Sequence, residues 1–311
     1  GEPGPEDVLV EVEFTSVSIG TERWALLGKL REPGKPLIAP FPHIAGYQAA
    51  GIVRGVGDRV EHLKPGDRVF THNTKISPDW PGSSWGGHVR HHLDHQDRIY
   101  KLPENVSTRQ AAGLLLAQVG YNGASRPRLE KGDVAIVIGD GQVGQYAGQV
   151  FRHRGAHVIL SGHHANRLEL ARTYSADEAI NSREVDFPAW VSRKHPDGVA
   201  VVAETASQRE LIRMSTDLLK YEGQLVLLGY YPEGECLLDI HWVRRKEITI
   251  HCPNAQTPAR LRTALDLLAR GTIRTEELVT HTFPYREAPE AYDLIVNKSS
   301  DFLGILLDWR T

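Results

Sequence analysis

A chain of 311 residues with 41% hydrophobic content is long enough to bury the cores of two ordinary domains, and two is the expected number. Its net charge of −3, with acids and bases interspersed, gives no electrostatic reason to expect nucleic acid or an anionic membrane as partner. No apolar run approaches the ~20 residues that span a bilayer, and the opening GEPGPEDVLV lacks a basic segment followed by an apolar one, which predicts a cytoplasmic protein acting on a small molecule.

The chain opens directly at a strand, so a further strand is expected upstream of it. In VLVEVEF (8–14), Val8, Val10, Val12 and Phe14 fall on one face and Glu11 and Glu13 on the other, the period-two pattern of a half-buried strand in an antiparallel sheet. Short strands punctuated by turns follow at 64–70, 83–92 and 98–107, so residues 1–107 read as an all-β unit. From 108 the texture changes to a helix, TRQAAGLLLAQVGYNGA, and then to strands at 133–139, 157–162, 178–182, 199–206 and 223–231. Their nearly continuous apolar runs predict burial on both faces, as in a parallel sheet. Helices at 167–175 and 210–223 lie between them, so 108–255 reads as a doubly wound α/β domain. Residues 256–311 end in a helix and a closing strand that return to the first domain. The cysteines, Cys236 and Cys252, argue against a disulfide framework and against a zinc site built from several thiolates; two buried thiols are expected.

Gly139, Gly141 and Gly144 form G-x-G-x-x-G directly after the strand at 133–139 and at the start of a helix, with a second strand ending at Gly162. That context makes the pattern a dinucleotide fingerprint: Gly139 permits the tight turn, Gly141 the approach of backbone to pyrophosphate, and Gly144 close helix–sheet packing. Gln142 and Val143 lie within the loop, and Thr205 and Gly229, near the ends of later strands, join the expected cofactor set. The end of the second strand reads SGHHANR, with no carboxylate to repel a 2′-phosphate and with His163, His164 and Arg167 to receive one, so NADP(H) is favoured over NAD(H).

SVSIGTERW (16–24), AGYQAAGIVRGVGDRVEHLKPGDRVF (45–70), SSWGGHVRHH (83–92), the fingerprint and TEELVTHTFPYREAPEAYDLI (275–295) together resemble the medium-chain dehydrogenase/reductase superfamily. The resemblance covers nearly the whole chain. It implies a GroES-like β-barrel catalytic domain plus a Rossmann domain, an active site in the cleft between them, and a homodimer or homotetramer formed through the edge of the second-domain sheet near 237–252. In zinc-using members a cysteine, a histidine, a glutamate and a further cysteine or acid hold the metal; the matching positions here are Ile19, Tyr47, Gln48 and Leu115. None offers a thiolate, imidazole or carboxylate, so no zinc is expected. The first domain is also similar to the bacteriochlorophyllide dehydrogenase group, through S-x-G-T-E-R and G-Y, which implies oxidation of a secondary hydroxyethyl group on a tetrapyrrole.

Without a metal, hydride transfer still needs a group that moves the hydroxyl proton and stabilises charge on oxygen. Tyr47, in a vacated ligand position, is the expected donor, with Glu22 or His43 relaying the proton, Thr21 touching substrate or ribose, and His88 nearby. The run HVRHHLDH, with His88, His91, His92 and His95, reads as strand and loop histidines rather than metal ligands. These features predict a zinc-independent alcohol dehydrogenase or ketoreductase for a fairly bulky substrate. An enoyl or quinone reductase of the same fold, and an NADP(H)-binding protein without turnover, stay open as alternatives.

Overall fold

The computed structural model describes residues 2–31, 34–231, 238–254, 256–298 and 301–311. Cys236 and residue 237 therefore lie outside the described residues. The chain divides into two units, one of residues 1–115, 261–271 and 275–311, the other of 116–260 and 272–274.

The first unit is built on a seven-stranded sheet, in the order Val279–Pro284, Gly304–Asp308, Asp7–Ser16, Ala49–Val56, Arg68–Thr71 and Ile99–Lys101, with His91–His95 also pairing Asp7–Ser16. Asp7–Ser16 pairs antiparallel with each of its neighbours. The alternation in the first strand works as read: Val8, Val10, Val12 and Phe14 are buried, and the first two pack with Val53, Leu63, Val69 and Ile99. Residues 108–115 belong to this unit because Ala112 packs with Phe14 and Leu306, while the Thr108 hydroxyl donates to Glu13 at 2.5 Å. The expected strand at 83–92 is two strands, Ser83–Ser84 and His91–His95. The break falls at Gly86, whose φ of +67° is a left-handed conformation that glycine adopts without strain.

The second unit carries a six-stranded, all-parallel sheet in the order Glu178–Asn181, His157–Gly162, Val134–Ile138, Val199–Glu204, Leu219–Leu227 and Thr249–His251. Strand order reverses between Val134–Ile138 and Val199–Glu204, and open sheets of this kind bind ligands beyond the strand ends at such a point. Ile136, Ile159, Val202 and Leu225, fully buried, anchor one core cluster with Phe187, Val191 and Ile212. The helix expected over 210–223 ends at Leu218, and Leu219–Leu227 is strand. Leu219 pairs with Val199, so sheet hydrogen bonds take the backbone that local propensity would have left helical. Cys252, expected to be buried, is exposed, just past the edge strand. Among the described residues no helix is long and apolar enough to cross a membrane.

Candidate active site and cofactor loop

In the second unit the fingerprint glycines divide their work. Gly139 has φ +118°, and a Cβ there would meet Thr205 Oγ1 at 2.4 Å. The Thr205 hydroxyl donates to Ile138 O at 2.9 Å and so ties the loop to the neighbouring strand. A Cβ on Gly144 would stand 2.2 Å from the Gly139 carbonyl, closing the turn against the helix. A Cβ on Gly141 would meet nothing within 4 Å. That open space lies at the N-cap of the helix Gln142–His153, which has no side-chain cap. Uncapped N–H groups and the helix dipole there suit a phosphate, so the loop fits a dinucleotide. Gln142 is buried, with Nε2 3.5 Å from the Tyr146 hydroxyl, and Val143 is half-buried in the first turn. Gly229 is glycine for packing: a Cβ would sit 2.8 Å from Ser207 Cα.

The end of the strand His157–Gly162 corrects the sequence reading. A carboxylate does reach this place, from Asp140 between the first two fingerprint glycines. Its Oδ2 accepts from the amides of His163 and His164 at 2.8 and 2.9 Å, and it contacts His164 Nδ1 at 3.0 Å and Arg167 at 3.4 Å. Those amide bonds and the charges of His164 and Arg167 overcome desolvation and hold Asp140 below the usual carboxylate range. Asp140 is only 5% exposed, and a Cβ on Gly162 would strike its Cβ at 2.4 Å. Gly162 is thus required by a protein side chain. Arg167, paired inward, is not the open anion receiver that the sequence suggested. Glu204, which the sequence reading missed, is fully buried at the end of its strand and accepts from the Ala206 amide at 2.7 Å and from the Tyr231 hydroxyl. Burial pushes its carboxyl up.

In the first unit the expected catalytic residues converge around Glu22, on the short helix Ile19–Leu26. Glu22 is 1% exposed. Its Oε1 accepts the Ser18 amide at 2.7 Å, and its Oε2 meets His88 Nε2 at 3.0 Å and accepts the Tyr292 hydroxyl. His88 Nδ1 lies 2.8 Å from Thr15 Oγ1, which also accepts from Trp309 Nε1 at 3.0 Å. His88 thus bridges Thr15 and Glu22 through its two ring nitrogens. A Cβ on Gly46 would meet the His88 ring at 2.6 Å, so this glycine makes room for the histidine.

Tyr47 donates its hydroxyl to Ser18 Oγ, with the Thr21 hydroxyl beside it. Burial, reinforced by the charge of Glu22, pushes the phenol up to about 12 and keeps it protonated. His43 Nδ1 bonds Ser83 Oγ at 2.7 Å, and Ser83 in turn donates to Pro40 O, so the imidazole N–H is at Nδ1. His43 Nε2 is buried without a partner, and burial lowers the pKa of the ring. A cavity of about 240 Å³ in this unit is lined by His43, Glu22, His88, Tyr292 and Trp309 and by apolar groups including Phe41, Leu26 and Leu307. Sequence reasoning missed Ser18, Thr15, Tyr292 and Trp309.

The residues at the zinc-ligand positions do not fit the metal. Ile19 packs against the cluster of Ala291 and Phe302, Leu115 is 1% exposed, and the buried Gln48 donates Nε2 to Ser16 O at 3.2 Å. Among the described residues, three donors that could hold a metal gather at Asp140, His163 and His164, in the other unit. In the run 88–95, His92 is buried with Nε2 2.9 Å from Gly87 O, and burial depresses it to about 4. His95 caps the following turn, and His91 is exposed.

Residues 4–104 match the alcohol dehydrogenase GroES-like domain, and residues 143–270 match the zinc-binding dehydrogenase family. A sorbitol dehydrogenase of Halalkalibacterium halodurans is 27% identical over 98% of this chain and 92% of its own length. A D-xylulose reductase of Morganella morganii is 25% identical over 93% of this chain and 90% of its own. A solved structure described as a zinc-binding dehydrogenase of Sinorhizobium meliloti 1021, bound to NADP, superposes with a TM-score of 0.85 at 25% identity, over 99% of this chain and 93% of that one. With a GroES-like domain matched in one half, a dehydrogenase domain in the other and relatives aligned nearly end to end, the chain belongs to the medium-chain dehydrogenase/reductase superfamily.

Proposed function

We propose that the protein is a cytoplasmic, nicotinamide-dependent oxidoreductase that interconverts a secondary alcohol and a ketone without zinc, with NADP(H) favoured over NAD(H). The observation that carries this reading is the cluster of Tyr47, Ser18, Thr21, Glu22, His43 and His88, proton-handling groups gathered around a position where zinc-using relatives place a ligand. The similarity to sorbitol dehydrogenase and D-xylulose reductase supports secondary-alcohol chemistry. Zinc independence is supported by the donor set, since Ile19, Tyr47, Gln48 and Leu115 offer no ligand that tetrahedral zinc prefers.

When bound, the nicotinamide supplies or accepts the hydride. The chain does the rest. The amides at the start of the helix Gln142–His153 would hold the pyrophosphate. Tyr47 donates its proton to the carbonyl oxygen as negative charge develops there, and the hydroxyls of Ser18 and Thr21 relay a proton taken from solvent back to the phenolate. His43 lines the cavity beside Glu22 and His88. Glu22, His88 and Tyr292 satisfy one another, so they position Ser18. A cavity with Phe41, Leu26 and Leu307 in its wall supports a fairly bulky substrate with an apolar body. The edge strand Thr249–His251 offers a surface for a homodimer or homotetramer.

A screen of secondary alcohols and ketones, polyol and apolar, with both NADPH and NADH tests the reading. An alcohol product from a ketone supports it. A saturated ketone from an enone would assign the chain to the enoyl or quinone reductases, and tight cofactor binding with no turnover would make it a binding protein.

A further inference from the structure

A 2′-phosphate needs a cation that faces the ligand, and the arrangement around Asp140 withdraws the obvious one. Arg167 is 15% exposed and its guanidinium is turned to Asp140 Oδ1. His164 gives Nδ1 to the same carboxylate. The buried acid and these two groups form a closed set, which holds the turn after the strand His157–Gly162 in place.

The neighbouring strand supplies a different cation. Asn181 stands opposite Gly162 in the parallel register, and Ser182 is pinned to the Gly162 carbonyl through both its amide, at 2.8 Å, and its hydroxyl, at 3.0 Å. The next residue is Arg183, whose backbone amide is held by Asn181 Oδ1 at 3.0 Å and whose residue is exposed. Its charge bears on the half-buried His163 ring, whose centroid lies 4.1 Å from that of His164 with the rings tilted by 36°. The neighbouring acid, Glu184, is engaged by Asn181 Nδ2 at 2.7 Å.

We propose that Arg183, on the turn after Glu178–Asn181, is the residue that recognises the 2′-phosphate of NADP(H), with His163 beside it, and that Asp140 is the positioning residue that keeps His164 and Arg167 inward. The inference rests on the reading that the glycine loop holds a nicotinamide dinucleotide. A guanidinium matches phosphate with paired, charge-assisted hydrogen bonds, which a 2′-hydroxyl cannot return in kind.

The test is direct binding of NADPH and NADH, followed by nucleotide fluorescence, to the wild-type protein, Arg183→Ala and Arg167→Ala, with 2′,5′-ADP and 5′-AMP as competing probes and melting curves for each variant. Arg183→Ala is expected to weaken NADPH and 2′,5′-ADP at least tenfold while NADH and 5′-AMP stay within twofold. Arg167→Ala, which loosens the turn, is expected to weaken both cofactors to a similar degree. Unchanged NADPH affinity in Arg183→Ala overturns the assignment, as does a selective loss of NADPH in Arg167→Ala. If the wild-type protein binds neither NADPH nor NADH, the dinucleotide reading itself falls and the inference with it.

Discussion

The glycine loop of the second unit and the Tyr47 cluster of the first are both candidate sites, yet they are built in opposite ways. The loop draws its essential groups from residues 139 to 144, and each glycine has a local reason to be there: a left-handed φ at Gly139, a carbonyl 2.2 Å from a would-be Cβ at Gly144, and open space at Gly141. The Tyr47 cluster and the groups bonded to it draw on residues 15–22, 43–47, 88, 292 and 309, and Tyr292 reaches Glu22 across a sequence separation of 270. A site made by backbone shape survives divergence as a motif, whereas a site made by side-chain convergence leaves no continuous pattern.

The largest expected effect breaks the first site through its backbone. Gly144→Ala drives a methyl into the Gly139 carbonyl, so cofactor binding should be lost and the fold destabilised by about 1–3 kcal/mol, read by fluorescence titration and denaturant unfolding. Next, Tyr47→Phe removes the proton donor of the second site: turnover should fall about a hundredfold with cofactor affinity unchanged, and unchanged turnover would return Tyr47 to a packing role. Gly141→Ala sharpens the contrast, because φ at this position is −73° and its Cβ would meet nothing. Melting temperature should hold while the dissociation constant of NADPH rises about tenfold, since only the bound pyrophosphate needs that space.

A smaller effect comes from pH. The folded protein holds the Tyr47 phenol at about 12 against an unperturbed 10.0, so it binds a proton that the unfolded chain releases across that window. Stability contributed by the neutral phenol is complete below about pH 10 and is lost as pH rises towards 12. Tyr47→Phe should lose less stability over this range than the wild type, with Tyr292 titrating in both; identical slopes would show that Tyr47 is not held neutral. The smallest expected effect is none: prolonged chelation should leave turnover unchanged, and purified protein should contain well under one zinc per chain by elemental analysis. Activity lost on chelation and restored by zinc would overturn the metal-free reading.

Much of the fold was legible. The alternation in 8–14 marks a strand with one buried face, and the apolar runs at 133–139, 157–162 and 199–206 mark strands buried on both, because sheet periodicity is written in consecutive residues. The helix expected over 210–223 fails beyond Leu218 because pairing with Val199 is a long-range event that local propensity does not register. Asp140 stands at the variable position of G-x-G, where no local pattern marks it. The available signal was Gly162, a strand-end glycine with no turn to explain it, which the Asp140 side chain accounts for. Arg183 carried no signal, since its nearness to His163 follows only from the register of Asn181 with Gly162.

The sequence by itself determined the dinucleotide loop, the two sheet types and the absence of zinc donors at Ile19, Tyr47, Gln48 and Leu115, because each depends on residue identity at a fixed place in a local pattern. The tertiary structure decided which polar groups are engaged and which are not: Glu22 saturated by Ser18, His88 and Tyr292, Asp140 closed over His164 and Arg167, His43 Nε2 buried without a partner. Charge and hydrogen-bond capacity are settled by neighbours within about 4 Å, and in a folded chain those neighbours come from anywhere in the sequence.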